Sequence, residues 1–308
     1  MSEIKSTEKK KRKFSLLDNV VVIVLVANVL LGLGQFLGLM VMREPLNALV
    51  EMLFPGASTA GAGKTIIGYS PFWFIWLIVL PFLAITPRNR PILKCLTPKV
   101  KGNTMKLFAV GLGIGLGMNL LCAVIAMLHG DIQISFVSFQ PIGFLLVFVS
   151  VLIQSGAEEL IYRIWIHHRL MHRYGSPVFA VLVTAGVFAL AHGANPGAGI
   201  IPVLSLFALG LLCSALVIYL DSPWAAFAVH TGWNFCQNIL LGLPNSGAIA
   251  SFTVFKLETA ADSFAYSTGF GLEGAITATI ILLIAAGLIA WWGTRHQVTP
   301  TPIWETEA

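Results

Sequence analysis

Charged side chains are scarce in this sequence. Aspartate, glutamate, lysine and arginine make up 11% of the 308 residues, whereas 56% of the residues are hydrophobic. Soluble domains carry about 25% charged residues, because their surfaces face water. The shortage of charge excludes a soluble globular protein, and the same composition excludes a disordered chain, collagen and a coiled coil. A polytopic integral membrane protein remains.

Cysteine is also scarce, and the chain contains no internal repeat. The four cysteines are Cys95, Cys122, Cys213 and Cys236. None belongs to a C-x-x-C pair, so the sequence predicts neither a disulfide framework nor a zinc knuckle. The lack of a repeat gives no support to a transporter built from two related halves.

Eight apolar runs are each long enough to cross a bilayer as a helix. They lie at about 17–42, 67–86, 107–128, 141–162, 177–192, 200–220, 223–242 and 274–293. A closed β-barrel would show short alternating strands instead of continuous apolar runs. We therefore predict an all-α bundle of eight transmembrane helices. Residues 15–294 form its single domain, flanked by tails at 1–14 and 295–308.

Basic residues predict how this bundle is oriented. Of the 19 lysines and arginines, all but Arg43, Lys64 and Lys256 fall on one side of an eight-span arrangement. Basic loops stay in the cytoplasm, so both termini are expected there. The charges thus indicate topology and contact with anionic lipid, with no nucleic-acid partner. We expect a multi-pass protein of a bacterial plasma membrane.

Few ionisable groups lie inside the predicted spans. Glu158 and Glu159 are the only two of the 14 acids that do, and His192 and His230 are the only two of the seven histidines with apolar surroundings. An embedded charge costs about 2.5–3.5 kcal/mol or more, so such groups commonly mark a functional site. His167, His168 and His172 lie in a basic segment instead and are expected to face solvent or lipid headgroups.

The spacing of these residues assigns them to helix faces. Glu159 and Arg163 are one helical turn apart, which predicts a structural ion pair. Glu158 points about 100° away from that face, and a buried carboxylate without a full partner is suited to act as a general base. His230 and Asn234 are also one turn apart and share a face.

The heights of Glu158 and His192 predict a common pocket. Each lies 17 residues from Gly175, which marks the turn between spans four and five. At about 1.5 Å per residue both would lie roughly 25 Å from that turn. We expect a water-accessible pocket below the cytoplasmic surface, formed by spans four, five and seven.

Three motifs in this core, residues 141–242, resemble those of a known family. They are Glu158-Glu159-x-x-x-Arg163, Phe188-x-x-x-His192 and His230-x-x-x-Asn234. Together they are similar to the motifs of the CPBP (or ABI) family, which comprises type II CAAX prenyl proteases and bacteriocin-processing intramembrane proteases. A looser similarity continues through GLPNSG (242–247) and GFGLEG (269–274).

The resemblance implies hydrolysis of a peptide bond within the membrane. In that reading Glu158 activates a water, and His192 orients the water and carries a proton to the leaving amine. His230 and Asn234 would stabilise the oxyanion, while Glu159 and Arg163 position the helix. The expected substrate is a peptide or protein, prenylated or otherwise associated with the membrane.

Zinc is an alternative for this site, because the family is often labelled metalloprotease. His192, His230 and Glu158 could supply three ligands. The sequence lacks H-E-x-x-H, and Arg163 beside the carboxylates disfavours a dication. We therefore predict a mechanism without a cofactor.

Two other functions stay open at this stage. One is a non-proteolytic scaffold or immunity protein of the same family, and the other is a proton-coupled transporter that uses the buried acids and histidines as a relay. A cleavage assay separates the first from a protease, and proton-dependent uptake into liposomes would reveal the second.

Overall fold

The computed structural model describes residues 16–53 and 61–304, so the predicted tail at 1–14 lies outside the described residues. Within these described residues, ten α-helices and two short strands follow one another. The helices are α1 (Val20–Leu37), α2 (Arg43–Leu53), α3 (Gly61–Ile85), α4 (Met105–His129), α5 (Pro141–Glu159), α6 (His167–Tyr174), α7 (Pro177–Ala191), α8 (Ile200–Tyr219), α9 (Pro223–Asn234) and α10 (Ile276–Arg295). The strands β1 (Ile132–Phe136) and β2 (Phe255–Ala260) pair antiparallel.

The structure confirms the all-α membrane bundle. In the part of the chain that the structure describes, six helical stretches are long and apolar enough to span a bilayer: Val20–Met52, Gly61–Ile85, Met105–His129, Pro141–Tyr174, Ile200–Tyr219 and Ile276–Arg295. The other two predicted spans are also helical, although neither is among these six. Helix α7 has 15 residues, and α9 has 12 and continues through a π-helical turn at Phe235–Leu240. The count of eight crossings and the cytoplasmic termini stay predictions.

One end of the bundle carries both described chain ends, and we call it the basic end. Asp18 lies 3.5 Å from Arg88, in the loop after α3, and also binds Arg169 on α6. At the other terminus, the Thr301 N–H donates to Asp221, in the turn between α8 and α9, over 3.0 Å. The described chain ends and the loops after α3, α6 and α8 therefore lie at the same end.

The opposite end carries β1 and β2, and we call it the sheet end. The Phe252 N–H, just before β2, donates to Thr65 Oγ at the start of α3 over 2.9 Å. Asn195, after α7, donates its side-chain amide to the carbonyl oxygen of Ser246, after α9, over 3.1 Å. The loops after α7 and α9 thus meet the start of α3 at this end.

Small residues bring α9 against α4. A methyl group at Gly115 would lie 2.1 Å from the carbonyl oxygen of Val229, and one at Gly111 would lie 2.8 Å from that of Ala225. The glycine-rich segment at 111–117 therefore packs closely against α9, as small residues on a membrane helix allow. It holds α9, which carries His230 and Asn234, in the bundle interior.

A tryptophan fixes the helix that carries the acids. Trp76 on α3 donates its indole N–H to the carbonyl oxygen of Ile153 on α5 over 2.9 Å. Gly156 leaves room for the ring, because a methyl group there would lie 2.9 Å from it.

The turns that follow Glu159 and Asn234 are both π-helical (Leu160–Ile166 and Phe235–Leu240), a distortion often found at functional sites.

The expectation that the α6 histidines face solvent or lipid headgroups is wrong for His167 and His168, whereas His172 is half-buried. His167 is buried, and His168 Nδ1 lies 2.8 Å from the carbonyl oxygen of Arg163. The ring of His172 stacks on Trp304 with 3.9 Å between ring centroids. The physical reason is that α6 packs against the bundle, where Arg169 reaches Asp18.

Candidate active site

A cavity of about 490 Å³ brings the predicted catalytic residues together. Glu158 from α5, His192 at the end of α7, and His230 and Asn234 from α9 all line it. These are the three helices on which the sequence placed the site. Their catalytic roles stay predictions, whereas their convergence is a feature of the structure.

Glu158 directs one carboxylate oxygen to a neighbour on its own helix and the other to the two histidines. Its Oε1 accepts a hydrogen bond from Gln154 Nε2 over 2.7 Å. Its Oε2 lies 3.7 Å from His230 Nε2 and 4.0 Å from His192 Nε2, and it is buried without a hydrogen-bond partner. These distances are too long for direct hydrogen bonds but are within reach of a bridging water.

Hydrogen bonds assign the protonated nitrogen of each histidine ring. His192 Nδ1 lies 2.8 Å from the carbonyl oxygen of Phe188, which can only accept, so Nδ1 carries the hydrogen. His230 Nδ1 lies 2.8 Å from Glu159 Oε1, a carboxylate acceptor. Both rings therefore turn Nε2 towards Glu158 Oε2.

The predicted ion pair between Glu159 and Arg163 is present and completely buried. Arg163 Nη1 lies 3.1 Å from Glu159 Oε1, and both side chains are 0% exposed. The guanidinium carbon lies 4.4 Å from the centroid of the Phe188 ring, a cation–π contact. Because Glu159 also accepts from His230, this carboxylate joins the structural pair to the site, which the helix spacing alone did not reveal.

A chain of side-chain amides, which sequence reasoning missed, crosses the cavity wall. Gln154 Oε1 accepts from Asn234 Nδ2 over 3.2 Å, and Asn234 Oδ1 accepts from Asn245 Nδ2 over 3.3 Å. Asn245 Nδ2 also donates to Glu273 Oε2 over 3.2 Å. Glu158 and Glu273 stand at the two ends of this series of hydrogen bonds, and a carboxylate can only accept. The orientation of every side-chain amide between them is therefore determined.

Glu273 is a further buried carboxylate at the cavity, although the sequence predicted that only Glu158 and Glu159 lie inside the spans. It accepts hydrogen bonds from Trp233 Nε1 over 3.3 Å and from the Ser246 hydroxyl over 2.8 Å, in addition to that from Asn245. Burial raises the pKa of Glu273, while the hydrogen bonds from Ser246 and Trp233 oppose this rise. Glu273 lies in GFGLEG (269–274), a segment with a looser similarity to the family, and this similarity was the one feature of the sequence that could have identified it.

The cavity opens at the sheet end. Its exposed lining residues include Lys64 and Gly68 on α3, together with Ala248, Ile249 and Ser251 in the loop after α9. The sequence predicted cytoplasmic termini and a cytosol-facing pocket. The described chain ends lie at the end opposite the opening, so these two predictions cannot both be correct. The 25 Å estimate gave the heights of Glu158 and His192 without showing at which end of the bundle the cavity opens.

The alternative zinc site can be compared with these positions. Within residues 16–53 and 61–304, no group of three or more histidine, cysteine, aspartate or glutamate side chains is placed to hold a metal ion. The expected ligands Glu158, His192 and His230 do converge, with Glu158 Oε2 3.7 Å from His230 Nε2 and 4.0 Å from His192 Nε2.

Comparison with protein families gives one match. Residues 139–236 match a family model described as Rce1-like, type II CAAX prenyl endopeptidase. All three motifs lie within these residues. Searches of curated proteins and of solved structures gave no match. The family match confirms the resemblance that the three motifs show.

Proposed function

We propose that this chain, which carries an Rce1-like domain at residues 139–236, is an intramembrane endopeptidase that uses Glu158 to activate a water. The observation that carries the proposal is the convergence of Glu158 Oε2, His192 Nε2 and His230 Nε2 within one buried cavity. The family supports a CAAX-type endopeptidase of the membrane in general, and the arrangement of side chains supports the roles below.

The hydrolytic water is held between Glu158 and His192 in this mechanism. Glu158 Oε2 removes a proton as the water oxygen attacks the peptide carbonyl. His192 Nε2, which has a free lone pair, orients the water by accepting its second hydrogen. The proton taken from the water passes to the leaving amine, so one water and one peptide bond give a carboxylate and an amine.

His230 and Asn234 stabilise the oxyanion that forms on the attacked carbonyl. A hydrogen bond from His230 Nε2 requires the doubly protonated ring, in which Nδ1 also donates to Glu159. Asn234 Nδ2 uses one hydrogen for Gln154 and has a second available for the oxyanion. Each such donor is worth a factor of about 10² to 10³ in rate.

Gln154 acts as a positioning residue, because it binds Glu158 Oε1 and leaves Oε2 directed towards the histidines. The Gln154→Met variant keeps the size of the side chain but removes this hydrogen bond. We expect kcat to fall by about 10- to 100-fold with little change in KM, as for other residues that orient a reacting group. Steady-state kinetics test this prediction, and a change confined to KM would contradict it.

The proposed mechanism uses no metal, and zinc dependence can be measured directly. Elemental analysis of the purified protein, paired with activity after chelation, is the test. We expect peptide hydrolysis to continue when zinc is substoichiometric. Stoichiometric zinc that leaves together with the activity, and restores it on return, would refute the metal-free mechanism.

The substrate is a peptide or protein associated with the membrane, and a bacterial plasma membrane is the proposed location. A comparison of peptides in membranes that contain the wild-type chain or the Glu158→Ala variant would identify it. We expect uncleaved precursors to accumulate with the variant, while both chains insert to the same level. Identical peptide profiles would favour the scaffold or immunity-protein hypothesis instead.

A further inference from the structure

We infer that the catalytic pocket receives its substrate from the non-cytoplasmic side of the membrane. The substrate class is then an extracytoplasmic segment of a membrane protein or an exported, membrane-bound peptide. This inference rests on the proposed function, since it names the side from which that site is reached. It combines two independent features, the place where the cavity opens and the distribution of charge between the two ends.

The cavity walls come from the parts of the helices nearest the sheet end. Most lining residues lie in the second half of α1, the first half of α3, the last turn of α7, the first half of α8 and the second half of α9. Gln154, Glu158 and Tyr162 lie near the middle of the continuous helical stretch Pro141–Tyr174 and form the deepest part of the cavity. The loops at 245–251 and 195 complete the walls. None of the described lining residues belongs to the loops of the basic end.

The floor of the cavity is closed towards the basic end. Tyr162 lines the cavity and is 1% exposed, and Glu159 and Arg163 behind it are completely buried. Every residue of the π-helical turn Leu160–Ile166 is buried in the core. A peptide arriving from the basic end would therefore have to displace packed core residues and a buried ion pair.

The two ends carry opposite balances of charge. In the loop that follows α3 at the basic end, the cations are Arg88, Arg90, Lys94, Lys99 and Lys101. At the sheet end, by contrast, the cations are Arg43, Lys64 and Lys256, and the acids are Glu44, Glu51, Asp131, Glu258, Asp262 and Glu273. Cytoplasmic loops are enriched in lysine and arginine, so this difference directs the basic end to the cytoplasm.

The lining of the cavity also fits an apolar peptide segment. Leu31, Phe72, Leu206 and Leu209 contribute apolar surface, while Asn238 and Asn245 lie near the polar groups of the site. An extended segment can place its side chains on the apolar walls and offer its backbone to the amides. A prenylated C-terminus in the cytosol would lie on the side of the closed floor.

Labelling of single introduced cysteines tests the orientation without requiring activity. Ser251→Cys and Ala248→Cys place a thiol at the exposed rim of the cavity, and Lys101→Cys places one on the exposed surface of the basic end. The four natural cysteines are buried, so the wild-type chain supplies the background. Spheroplasts that contain each full-length variant are treated with a membrane-impermeant maleimide, before and after permeabilisation.

We expect the two rim variants to react in intact spheroplasts and Lys101→Cys to react only after permeabilisation. The reverse pattern, or reaction at both ends in intact spheroplasts, would overturn the inference. Two rim positions are used so that poor folding of one variant still leaves a result. Substrate cleavage that depends on Glu158 is measured on the same membranes, so a wrong orientation and a wrong function give different outcomes.

Discussion

Replacing Glu158 with glutamine is expected to lower the rate of peptide hydrolysis by about 10²- to 10⁴-fold. This is the usual contribution of a general base, and an amide of the same shape cannot accept the proton. Gln154 and the histidines would still surround the side chain, so the fold and substrate binding should change little. Kinetics of the purified variant, using a precursor peptide identified in membranes, measure the effect.

A matched control separates loss of the base from loss of a negative charge. Glu258 lies at the same end of the bundle on β2, with an exposed side chain paired to Lys256 at 3.0 Å. Glu258→Gln is expected to leave the rate unchanged. Equal activity of wild type and Glu158→Gln would reject Glu158 as the base, provided that both variants have the wild-type melting temperature.

Replacing Arg163 with methionine is expected to reduce the free energy of unfolding by about 3–5 kcal/mol. The change leaves Glu159 buried without its guanidinium partner, and an uncompensated charge in the interior is costly. Thermal unfolding in detergent measures the loss. The variant should also lose activity, because Glu159 holds His230 through Nδ1.

Two further variants test that explanation. In Glu159→Gln with Arg163→Met, both charges of the buried pair are removed, and the glutamine oxygen can still accept from His230. We expect this double variant to recover most of the lost stability. Lys256→Met breaks the exposed pair with Glu258 and should cost no more than about 1 kcal/mol. If Arg163→Met is as stable as wild type, the buried pair does not stabilise the fold.

The sequence could predict contacts between residues on the same helix. The spacing of Glu159 and Arg163 determines their proximity in any regular helix, and the structure confirms the pair. The hydrophobic runs likewise predicted the helices, since a membrane span must be apolar over its length. The grouping of Glu158 with His192 and His230 came from the three motifs in apolar segments.

Helix spacing and hydropathy could not predict contacts between different helices or between helices and loops. Glu273 lies in a loop segment, and neither hydropathy nor helical periodicity shows that this segment folds back onto Trp233 and Asn245. Gln154 is one turn from Glu158, but a neutral amide gives no signal of unusual burial. Bonding of Glu159 to His230 required α5 and α9 to be placed in three dimensions.

The direction from which the cavity is reached is another feature that depends on contacts between elements and not on the spacing within one helix. Helix rise gave equal heights for Glu158 and His192, but access depends on which end of the bundle is packed. The turn at Leu160–Ile166 closes the basic end, whereas Ser251 and its neighbours leave the sheet end open. In the inference above, the basic residues therefore indicate the side from which the substrate comes as well as the topology.

Hydrolysis in ¹⁸O-labelled water tests the central claim most directly. The purified chain in lipid nanodiscs is given a precursor peptide, and mass spectrometry determines the new peptide ends. We predict that wild type releases a new C-terminal carboxylate with one oxygen from the solvent, and that Glu158→Gln yields almost none of this product. Equal product from the variant, or an intact precursor with folded wild type, would contradict the account.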